Sequence, residues 1–451
     1  MPFLSSPLRT LRAVLPKRLE NILISSYHSA LAFLGAVFYA FPSRQLVVIG
    51  ITGTKGKTTT AELVNGILEE AGHKTALSGT LRFKVGSESR QNYYKMTMPG
   101  RFFLQKFLRD AVNSGCTHAV IEMTSEGVAQ HRHRHIDLNT LVVTNIAPEH
   151  IESHGSYENY LDAKLSIARA LAKSPKSNRV LVVNADDTET PKFIAAAAGV
   201  STLTYSLKNA GTIKTTEGGS DFTFSEVSMH TPLRGQFNIA NALAAATLAK
   251  HLGVDPQTIK QAVEKLSVIR GRMEEIYIED TLPYLPADKS FSVIVDYAHT
   301  KDSLEAVYQS LGQKRKICVF GGTGGGRDRW KRPLMGGIAA RYCAYILLTD
   351  EDPYDENPST IVSEIKSGID YGNKERAKRG EAPRRCDIIM DRREAIRMAV
   401  LTAEKDDVVI ITGKGTDPFI MGPKGTKTPW SDAEVARDAI REKIKMNESK
   451  R

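Results

Sequence analysis

The stretch that decides the fold is VVIGITGTKGKTTTAELVNGILEEAG, from Val47 to Gly72. It opens with β-branched residues, breaks into glycine, threonine and lysine, and resumes with apolar residues at helical spacing. The spaced residues are Ala61, Val64, Ile67, Leu68 and Ala71. A strand, a glycine-rich turn and a helix that ends at Gly72 produce this pattern. Turns of this kind hold phosphate on backbone N–H groups at the helix N-terminus, so the stretch predicts a phosphate site.

The turn itself supplies residue types that suit a nucleotide. Lys57 is expected to reach the outer phosphates, and Thr58 is expected to offer its hydroxyl to Mg²⁺. The strict phosphate-loop pattern has glycine where this chain has Ile51, so the loop is a variant. We therefore predict that outer phosphates and Mg²⁺ bind here.

Seven further apolar runs resemble the strand that begins this stretch. They are HAVIEMTSE, LVVTNIAPEH, RVLVVNADD, SVIVDYAHT, KICVFGGTGGG, AYILLTDEDP and DVVIITGKG. Such runs alternating with helical patterns predict an α/β fold with a mostly parallel sheet covered on both faces. Ligands collect at the carboxyl ends of such strands, where this chain places acidic residues, histidine, asparagine and glycine. Residues 200–235 alternate polar and apolar side chains, which predicts antiparallel strands at a sheet edge.

A chain of 451 residues has room for two or three domains. The stretch SVIRGRMEEI, residues 267–276, separates two series of strands, so we place a boundary there. We expect a short helical N-terminal segment at residues 1–45 and a central phosphate-loop ATPase domain at 46–269. A Rossmann-like α/β domain is expected to follow at 270–451.

Composition limits the class of protein. Hydrophobic content of 41% and charged content of 25% are typical of a soluble globular protein. The formal net charge of +10 is spread along the chain, which favours anionic small-molecule substrates over nucleic acid. The four cysteines lie far apart, which argues against a zinc ribbon and a disulfide framework and fits a reducing cytosol. We expect a cytoplasmic protein and a monomer.

One segment, residues 21–43, contains no formal charge and has nearly the length of a membrane span. It follows the basic residues Arg9, Arg12, Lys17 and Arg18. Serines and a histidine interrupt it, and a span with the basic side in the cytosol would export the ATP-binding region. A buried helix or contact with a membrane surface is the favoured interpretation.

Three more residues indicate a catalytic centre. Glu122 ends one strand run, where a Mg²⁺-directed carboxylate belongs, and His150 follows another. Lys164 lies in the helical stretch YLDAKLSIARAL. Alone, a strand-end Glu or His is often structural, and a helix lysine is usually solvated. Beside a phosphate turn, the three together favour an enzyme.

Ten motifs occur together in a fixed order. They are TGTKGKTTT, IEMTSEGVAQHR, TNIAPEHIESHGSYENYLDAK, NADD, GQFNIANALAA, GRMEEI, DYAHTKDSL, GGTGGGRDRWKRPLMG, TDEDP and GKGTDP. In these motifs the chain resembles the Mur ligases, and among them the UDP-N-acetylmuramoyl-tripeptide synthetase type. The likeness extends from about Leu46 to about Ile440.

The resemblance implies an ATP-dependent amide ligase that works through an acyl phosphate. It would add an amino acid, the third stem residue, to a UDP-N-acetylmuramoyl-dipeptide in peptidoglycan biosynthesis. The implied catalytic residues are Lys57, Glu122, His150 and Lys164. The implied Mg²⁺ ligands are Thr58, Glu122, His150 and Lys164 as a carbamate, because carbamylation turns that cation into an anion able to hold a second Mg²⁺.

The resemblance also implies contacts elsewhere in the chain. The ATP phosphates would meet the turn residues Gly53, Thr54, Lys55, Gly56, Lys57, Thr58 and Thr59. Other parts of ATP would meet Asn238, Asn241, Arg272, Asp296 and His299. The muramoyl peptide would meet Thr97, Thr124, Gln130 and Arg132. The motifs that select the amino acid place Asp352, Gly413 and Asp417 beside the substrates.

The chain also departs from the family pattern. The segment before the phosphate turn is shorter than the usual UDP-binding domain, which we expect to be missing. The family's Asp-Asn-Pro-Arg reads Glu351-Asp352-Pro353-Tyr354, and tyrosine cannot hold a carboxylate as arginine does, so diaminopimelate is in doubt. Asp417 replaces a glutamate and would suit a cationic amine such as lysine. After Glu122, the family's Ser-Ser-His reads Thr124-Ser125-Glu126.

These departures leave alternatives open. One is a Mur-like ligase on a different donor, either a lipid-linked muropeptide or a folylpolyglutamate-type substrate. The partner of a lipid-linked glutamate amidating complex is disfavoured, because it carries a four-cysteine zinc ribbon. Another alternative is a nucleotide-binding scaffold without turnover. The cluster HRHRH, residues 131–135, is interpreted as a solvated loop near an acidic substrate rather than a zinc site.

Overall fold

The computed structural model describes residues 17–149, 151–216, 218–278, 290–327 and 329–449. The α-helices are α1 Lys17–Phe38, α2 Lys57–Glu70, α3 Arg101–Asn113, α4 Ser125–Ala129, α5 Ile151–His154, α6 Tyr157–Ala172, α7 Thr190–Ala196, α8 Gln236–His251, α9 Pro256–Lys265, α10 Lys301–Ser310, α11 Lys331–Tyr342, α12 Pro358–Lys378, α13 Arg392–Thr402 and α14 Asp432–Glu448. The strands are β1 Val47–Thr52, β2 Thr75–Ser78, β3 Arg82–Val85, β4 Glu88–Gln91, β5 His118–Glu122, β6 Thr140–Val143, β7 Val180–Asn184, β8 Ser201–Tyr205, β9 Lys214–Thr216, β10 Gly219–Phe224, β11 Val227–Thr231, β12 Glu274–Glu275, β13 Ser292–Asp296, β14 Lys316–Phe320, β15 Tyr345–Leu348, β16 Arg385–Ile388, β17 Val408–Thr412, β18 Phe419–Met421 and β19 Lys427–Pro429.

The described residues form two compact units. The first contains the residues up to Ala147, together with Glu158–Ser206 and Ala244–Ile259. The second contains Pro148–Tyr157, Leu207–Leu243 and the residues from Lys260 onward. The domain limits drawn from the sequence, 1–45, 46–269 and 270–451, remain a prediction.

The first unit contains an eight-stranded sheet in the order β4-β3-β2-β5-β1-β6-β7-β8. The six strands from β2 to β8 in that order run parallel, and β3 and β4 add an antiparallel edge. β1 lies between β5 and β6, with Ile51 opposite Glu122 and Thr52 opposite Val143. The carboxyl end of β1 therefore lies beside those of β5 and β6, which is where α2 begins.

The second unit contains a six-stranded sheet in the order β12-β13-β17-β14-β15-β16. All neighbours in it run parallel except the short β12. One buried apolar cluster includes Leu304 and Met335 on one face, and another includes Ile396 and Ile440 on the other. The prediction of an α/β fold with parallel strands covered on both faces is confirmed.

The interpretation of residues 200–235 was wrong in part. β9, β10 and β11 are antiparallel, as expected, but they form a separate three-stranded sheet. β8, at Ser201–Tyr205, instead pairs with β7 in parallel as the edge of the large sheet. Alternating side chains report one exposed face on each strand, and this pattern does not say which strand is the neighbour.

The cysteine prediction also needs correction. The cysteines Cys318 and Cys343 form a disulfide, with their Cα atoms 6.1 Å apart. Cys318 lies in β14 and Cys343 follows α11, the helix that connects β14 to β15. The crossover brings the end of the helix back beside the strand, so a separation of 25 residues in sequence becomes a contact. Cys116 and Cys386 are free thiols.

Helix α1 packs on α3 through small side chains. Ala32 and Ala36 are buried, and a Cβ added at Gly35 would lie 3.6 Å from the Cα of Phe102. The large apolar side chains of α1 point outward instead. Leu23, Tyr27, Phe33, Leu34, Val37 and Phe38 are each about half or more exposed. No helix in the described part of the chain is long and apolar enough to cross a membrane.

Candidate active site

The phosphate turn depends on a glycine at its first position. Gly53 has a φ of +144°, and a Cβ there would come within 1.9 Å of the Thr144 hydroxyl. The turn is anchored to the end of β6, because Asn145 accepts from the Lys55 N–H at 3.0 Å and donates to the Lys55 carbonyl at 3.0 Å. Lys57 Nζ donates to the carbonyls of Gly53 and Thr54, both at 2.9 Å. The lysine therefore lies against the loop that it is predicted to serve.

Lys164 lies beside the same turn. Its side chain is 2% exposed, and Nζ donates to the Gly53 carbonyl at 2.7 Å. The ammonium lies 5.1 Å from the ring centre of Tyr160, whose hydroxyl is 2.7 Å from Thr54 Oγ1. Sequence analysis noted that a lysine in a helix is usually solvated, and the burial of Lys164 argues against that interpretation here. The side chain meets the loop because α6 passes next to the end of β1.

Glu122 is the acidic centre of this region. It is 1% exposed, and its carboxylate accepts from Thr58 Oγ1 at 3.0 Å. Thr80 donates twice to it, from its N–H at 2.8 Å and from its hydroxyl at 3.0 Å. The Thr80 hydroxyl also lies 2.9 Å from the Thr97 hydroxyl. Thr58, Glu122, Thr80 and Thr97 form one hydrogen-bonded chain.

This chain of groups fits Mg²⁺. The Thr58 hydroxyl and the Glu122 carboxylate are oxygen donors within hydrogen-bond distance of each other, and hard cations prefer oxygen ligands. Lys164 contacts Gly53 in the turn, and Glu122 contacts Thr58 in the first turn of the helix that follows. His150, the other predicted ligand, lies outside the described residues. Within those residues, no group of three or more His, Cys, Asp or Glu is arranged to hold a metal.

The residues predicted to meet the muramoyl peptide lie close in the first unit. Thr97 joins the Glu122 network, and Thr124 caps α4 by accepting from the Gly127 N–H at 3.1 Å. Gln130 Oε1 accepts from Arg132 at 2.7 Å. The structure therefore places these side chains on the segments that follow β4 and β5.

The remaining residues predicted to meet ATP lie in the second unit. Asn241 donates to Asn238 at 3.1 Å on α8. Asp296, at the end of β13, accepts from the N–H groups of Met273 and Ala298, both at 2.7 Å. The guanidinium of Arg272 lies 4.5 Å from the ring centre of Tyr297. The imidazole of His299 reaches Glu149 at 3.3 Å.

The predicted amine-selecting residues are tied together by one lysine. The ammonium of Lys414 reaches Asp352 at 2.8 Å and Asp417 at 3.5 Å. Asp352 is buried and also accepts from the Met421 N–H at 2.7 Å. A Cβ added at Gly413 would lie 2.2 Å from Glu351 Oε2, so the glycine makes room for that carboxylate. Burial raises the pKa of Glu351.

Comparison with known proteins identifies the family of this arrangement. Residues 51–249 match the Mur ligase middle domain, and residues 271–415 match the Mur ligase, glutamate ligase domain. A UDP-N-acetylmuramoyl-L-alanyl-D-glutamate–2,6-diaminopimelate ligase of Syntrophomonas wolfei subsp. wolfei is 37% identical over 429 residues, which are 92% of this chain and 83% of the relative. A UDP-N-acetylmuramyl-tripeptide synthetase of Roseiflexus sp. (strain RS-1) is 37% identical over 434 residues, 92% of this chain and 82% of that protein.

The chain belongs to the Mur ligase family. The solved structure of a UDP-N-acetylmuramoyl-L-alanyl-D-glutamate–2,6-diaminopimelate ligase has a TM-score of 0.57 and 30% identity to it. The match covers 88% of this chain and 78% of that one. The resemblance, the fold class and the ligase class predicted from the sequence are confirmed. The roles of individual residues remain predictions.

Sequence analysis missed three groups that contact predicted site residues, two in the first unit and one in the second. Thr80 lies in the loop between β2 and β3, where nothing in its surroundings marks it as a partner of Glu122. Asn145 follows β6, and its position at a strand end was a usable signal. Glu351 was read only as part of a motif, yet Thr323 donates to it at 2.9 Å and it is buried.

The interpretation of residues 131–135 as a solvated loop was wrong. His131, Arg132, His133 and His135 are only partly exposed, and Arg134 alone is open to solvent. His131 lies 3.0 Å from Ser25 Oγ, and Arg134 donates to Ser29 Oγ at 2.8 Å. The serines belong to α1, so packing of this helix covers the stretch. That packing is not visible in the local sequence.

Proposed function

We propose that this Mur ligase uses ATP to join an amino acid to a UDP-N-acetylmuramoyl-dipeptide as the third residue of the peptidoglycan stem. The observation that carries the proposal is the meeting of Lys57, Lys164 and the Thr58–Glu122 pair around one phosphate turn. The names of the 37%-identical relatives support the substrate class. The finer roles that follow are part of the proposal.

The chemistry has two steps. A carboxylate of the muramoyl peptide attacks the γ-phosphate of ATP and gives an acyl phosphate and ADP. The amine of the incoming amino acid then attacks the acyl carbon, and phosphate leaves as the amide forms. Lys57 and the N–H groups of the turn lower the cost of the charge that spreads over the transferred phosphoryl group.

Mg²⁺ held by Thr58 and Glu122 would neutralise phosphate charge. The protein prepares for it with Thr80, which fixes the carboxylate of Glu122 through two hydrogen bonds. Lys164 carries the carbamate in this proposal, because its amine is buried and lies directly at the turn. His150 remains a predicted third ligand.

In this proposal the incoming amino acid binds beside Asp352 and Asp417. Asp417 already forms an ion pair with Lys414, so it would attract a cationic amine less strongly. Tyr354, which stands where relatives of the diaminopimelate type have arginine, receives a hydrogen bond from Arg327 at 3.4 Å. The guanidinium lies 5.4 Å from the tyrosine ring centre. In this proposal Arg327 takes the part of the family's arginine toward a carboxylate, which keeps both diaminopimelate and lysine as candidates.

The test is phosphate release by the full chain with ATP, Mg²⁺ and UDP-MurNAc-L-Ala-D-Glu across a panel of amines that includes lysine and diaminopimelate. Release that needs both the donor and one amine supports the proposal and names the residue added. Mass spectrometry of the product then identifies the amide. No release with any amine overturns the UDP-linked donor, and lipid-linked muropeptide and folate donors are assayed next. ATP binding without turnover on every donor would support the scaffold alternative.

Replacing the buried lysine tests the carbamate. Lys164→Ala should lower turnover on the order of 100-fold or more, because a charged group at the phosphates is lost. The matched control is Lys173→Ala, an exposed lysine just after the same helix. Loss of activity should be reported beside the mass of the intact protein, since a carbamate adds the mass of CO₂. Full turnover by Lys164→Ala contradicts the carbamate role.

The monomeric state and the contact of residues 21–43 with a membrane surface stay predictions.

A further inference from the structure

Five basic side chains meet in the first unit and are called here the basic cluster: His28, Arg101, His131, Arg132 and His133. They come from α1, the first residue of α3 and the segment after α4. Arg101 donates to the Gln130 carbonyl, and Arg132 donates to the Met98 carbonyl. These bonds, with the one between Ser25 Oγ and His131 Nε2, hold the side chains toward one another.

Each member of the cluster has a buried polar atom without a hydrogen-bond partner in the described structure. The atoms are the Nε of Arg101 and Arg132 and the Nδ1 of His28, His131 and His133. Buried polar atoms are nearly always satisfied, so five such atoms in one place require an explanation. The two guanidinium atoms can only donate. An imidazole Nδ1 also donates when its Nε2 accepts, as His131 Nε2 does if the Ser25 hydroxyl donates to it.

The surroundings of the cluster disfavour positive charge on its members. Burial and the nearby Arg132 lower the pKa of Arg101. Burial and then the positive charges of Arg134, His28 and Arg101 lower the pKa of His131 to about 4. The pKa of His133 is also lowered to about 4, mainly by burial. An anion in contact with these groups would offset the cost of placing positive charge on them.

Opposing charge from the protein is small. Glu126 acts on Arg132, and the phenol of Tyr27 acts on Arg101, in each case against a larger effect of burial. In the described residues, neither guanidinium of the cluster forms an ion pair with a carboxylate. The surrounding acceptors are main-chain carbonyls, the Gln130 amide and serine hydroxyls, all of them neutral.

We propose that the basic cluster binds a phosphate or diphosphate group, that of the muramoyl-peptide donor. A carboxylate offers two oxygens, whereas a phosphate group offers three strong acceptor oxygens and more charge to a cluster of five donors. Arg132 of the cluster donates to the side chain of Gln130, and Arg101 donates to the Gln130 carbonyl. Gln130 and Arg132 are the residues already predicted to meet the donor. The inference therefore rests on the proposed function, and it adds His28, Arg101, His131 and His133 to the donor site.

The diphosphate could reach the cluster from two sources. A soluble nucleotide-linked donor carries it beside a uridine, and a lipid-linked donor carries it beside a hydrocarbon chain. The exposed apolar side chains of α1, Leu34 and Val37 among them, lie on the same helix as His28 and would suit the hydrocarbon. Both sources share the diphosphate, which is the group the cluster recognises.

The experiment is calorimetric titration of the full chain with inorganic pyrophosphate at fixed ionic strength. Arg101→Gln should weaken binding about 10-fold, because one charge-assisted contact is lost. The matched control is Lys106→Gln, a charge removed from the exposed face of the same helix, with an expected change below about 2-fold. His28→Gln tests α1 separately and should also weaken binding. Circular dichroism and melting temperature check that each variant is folded.

The phosphate turn could also bind pyrophosphate, so the titrations are repeated in the Lys57→Met background. Binding that remains there and depends on Arg101 supports the inference. Equal affinity of Arg101→Gln and Lys106→Gln, or no binding, overturns it. UDP and a polyprenyl diphosphate in detergent micelles then compete with pyrophosphate, and the stronger competitor identifies the source.

The outcome is separable from that of the proposed function. If phosphate release proceeds and Arg101→Gln leaves the KM for the donor unchanged, the donor assignment of the cluster is wrong and the ligase stands. If no donor supports release but pyrophosphate binding depends on Arg101, the ligase proposal is wrong and the anion site stands.

Discussion

The phosphate turn and the basic cluster are two polar regions of the same unit, and they differ in how their side chains are satisfied. Around the turn, Lys57, Lys164 and Glu122 all have protein partners at ordinary hydrogen-bond distances. In the basic cluster, five buried nitrogen atoms have none in the described structure. Hydrogen bonds within the protein therefore fix the side chains around the turn. The basic cluster lacks such partners, and in our proposal a bound anion supplies them.

The largest expected effect comes from destroying the shape of the first region. Gly53→Ala would force a Cβ against the Thr144 hydroxyl at a φ that alanine rarely adopts. We expect ATP binding, measured by calorimetry, to weaken on the order of 100-fold, because the turn must move to relieve the clash. The control is Gly66→Ala in α2, where a Cβ would meet nothing within 4 Å. This control should keep full affinity. Unchanged affinity of the Gly53 variant would show that the turn is not rigid.

A smaller effect should follow from loosening the carboxylate without touching the turn. Thr80→Val removes the hydroxyl that donates to Glu122 and leaves the N–H bond in place. The Mg²⁺ concentration needed for half-maximal phosphate release should rise about 10-fold, as for other partners of metal-binding groups. Thr80→Ser keeps the hydroxyl and should restore the requirement. If the valine variant lowers kcat at saturating Mg²⁺ and leaves the requirement unchanged, Thr80 does not position Glu122.

The smallest expected effect is a change of stability with pH, which depends on buried or partly buried histidines, two of them in the basic cluster. The pKa values of His118, His131 and His133 are lowered to about 4, chiefly by burial, from an ordinary value of 6.5. The folded state then binds fewer protons than the unfolded state between these values. Stability is therefore lost as pH falls from 6.5 toward 4.

Melting curves at pH 7 and pH 5 measure this loss. The melting temperature should drop by about 2 °C or more on acidification. Pyrophosphate should reduce the drop in the wild-type chain, because an anion favours charged imidazoles. Pyrophosphate should reduce the drop less in Arg101→Gln. Because His118 lies outside the basic cluster, its contribution to the drop should be the same in the wild-type chain and in the variant. A melting temperature that does not change between pH 7 and pH 5 would contradict the assignment of these histidines as neutral.

Much of the fold could be predicted because its signals are local. The apolar period of Val47–Gly72 specifies β1, the turn and α2 directly. Pairing between distant segments was harder: the sheet of β9–β11 and the disulfide of Cys318 and Cys343 follow from where the chain returns, which no local pattern records.

The site divides in the same way. Lys57, Thr58, Glu122 and Lys164 have residue types that the chemistry requires, at strand ends and at a helix start, and the structure brings them to one turn. Thr80 carries no such mark, since threonine in a loop is ordinary. The histidines of residues 131–135 were misread because their burial depends on α1, more than ninety residues earlier in the chain.

The small inner face of α1 has a consequence for how firmly this helix is held. Burying Ala32 and Ala36 removes far less apolar surface from water than burying leucines would, so apolar burial contributes little free energy to the packing of α1 on α3. Any anion that touches both His28 and Arg101 would bind only the docked arrangement and would favour it by mass action. Ligand concentration and helix docking then form one coupled equilibrium. The fraction of molecules with α1 in place would report how much donor is available.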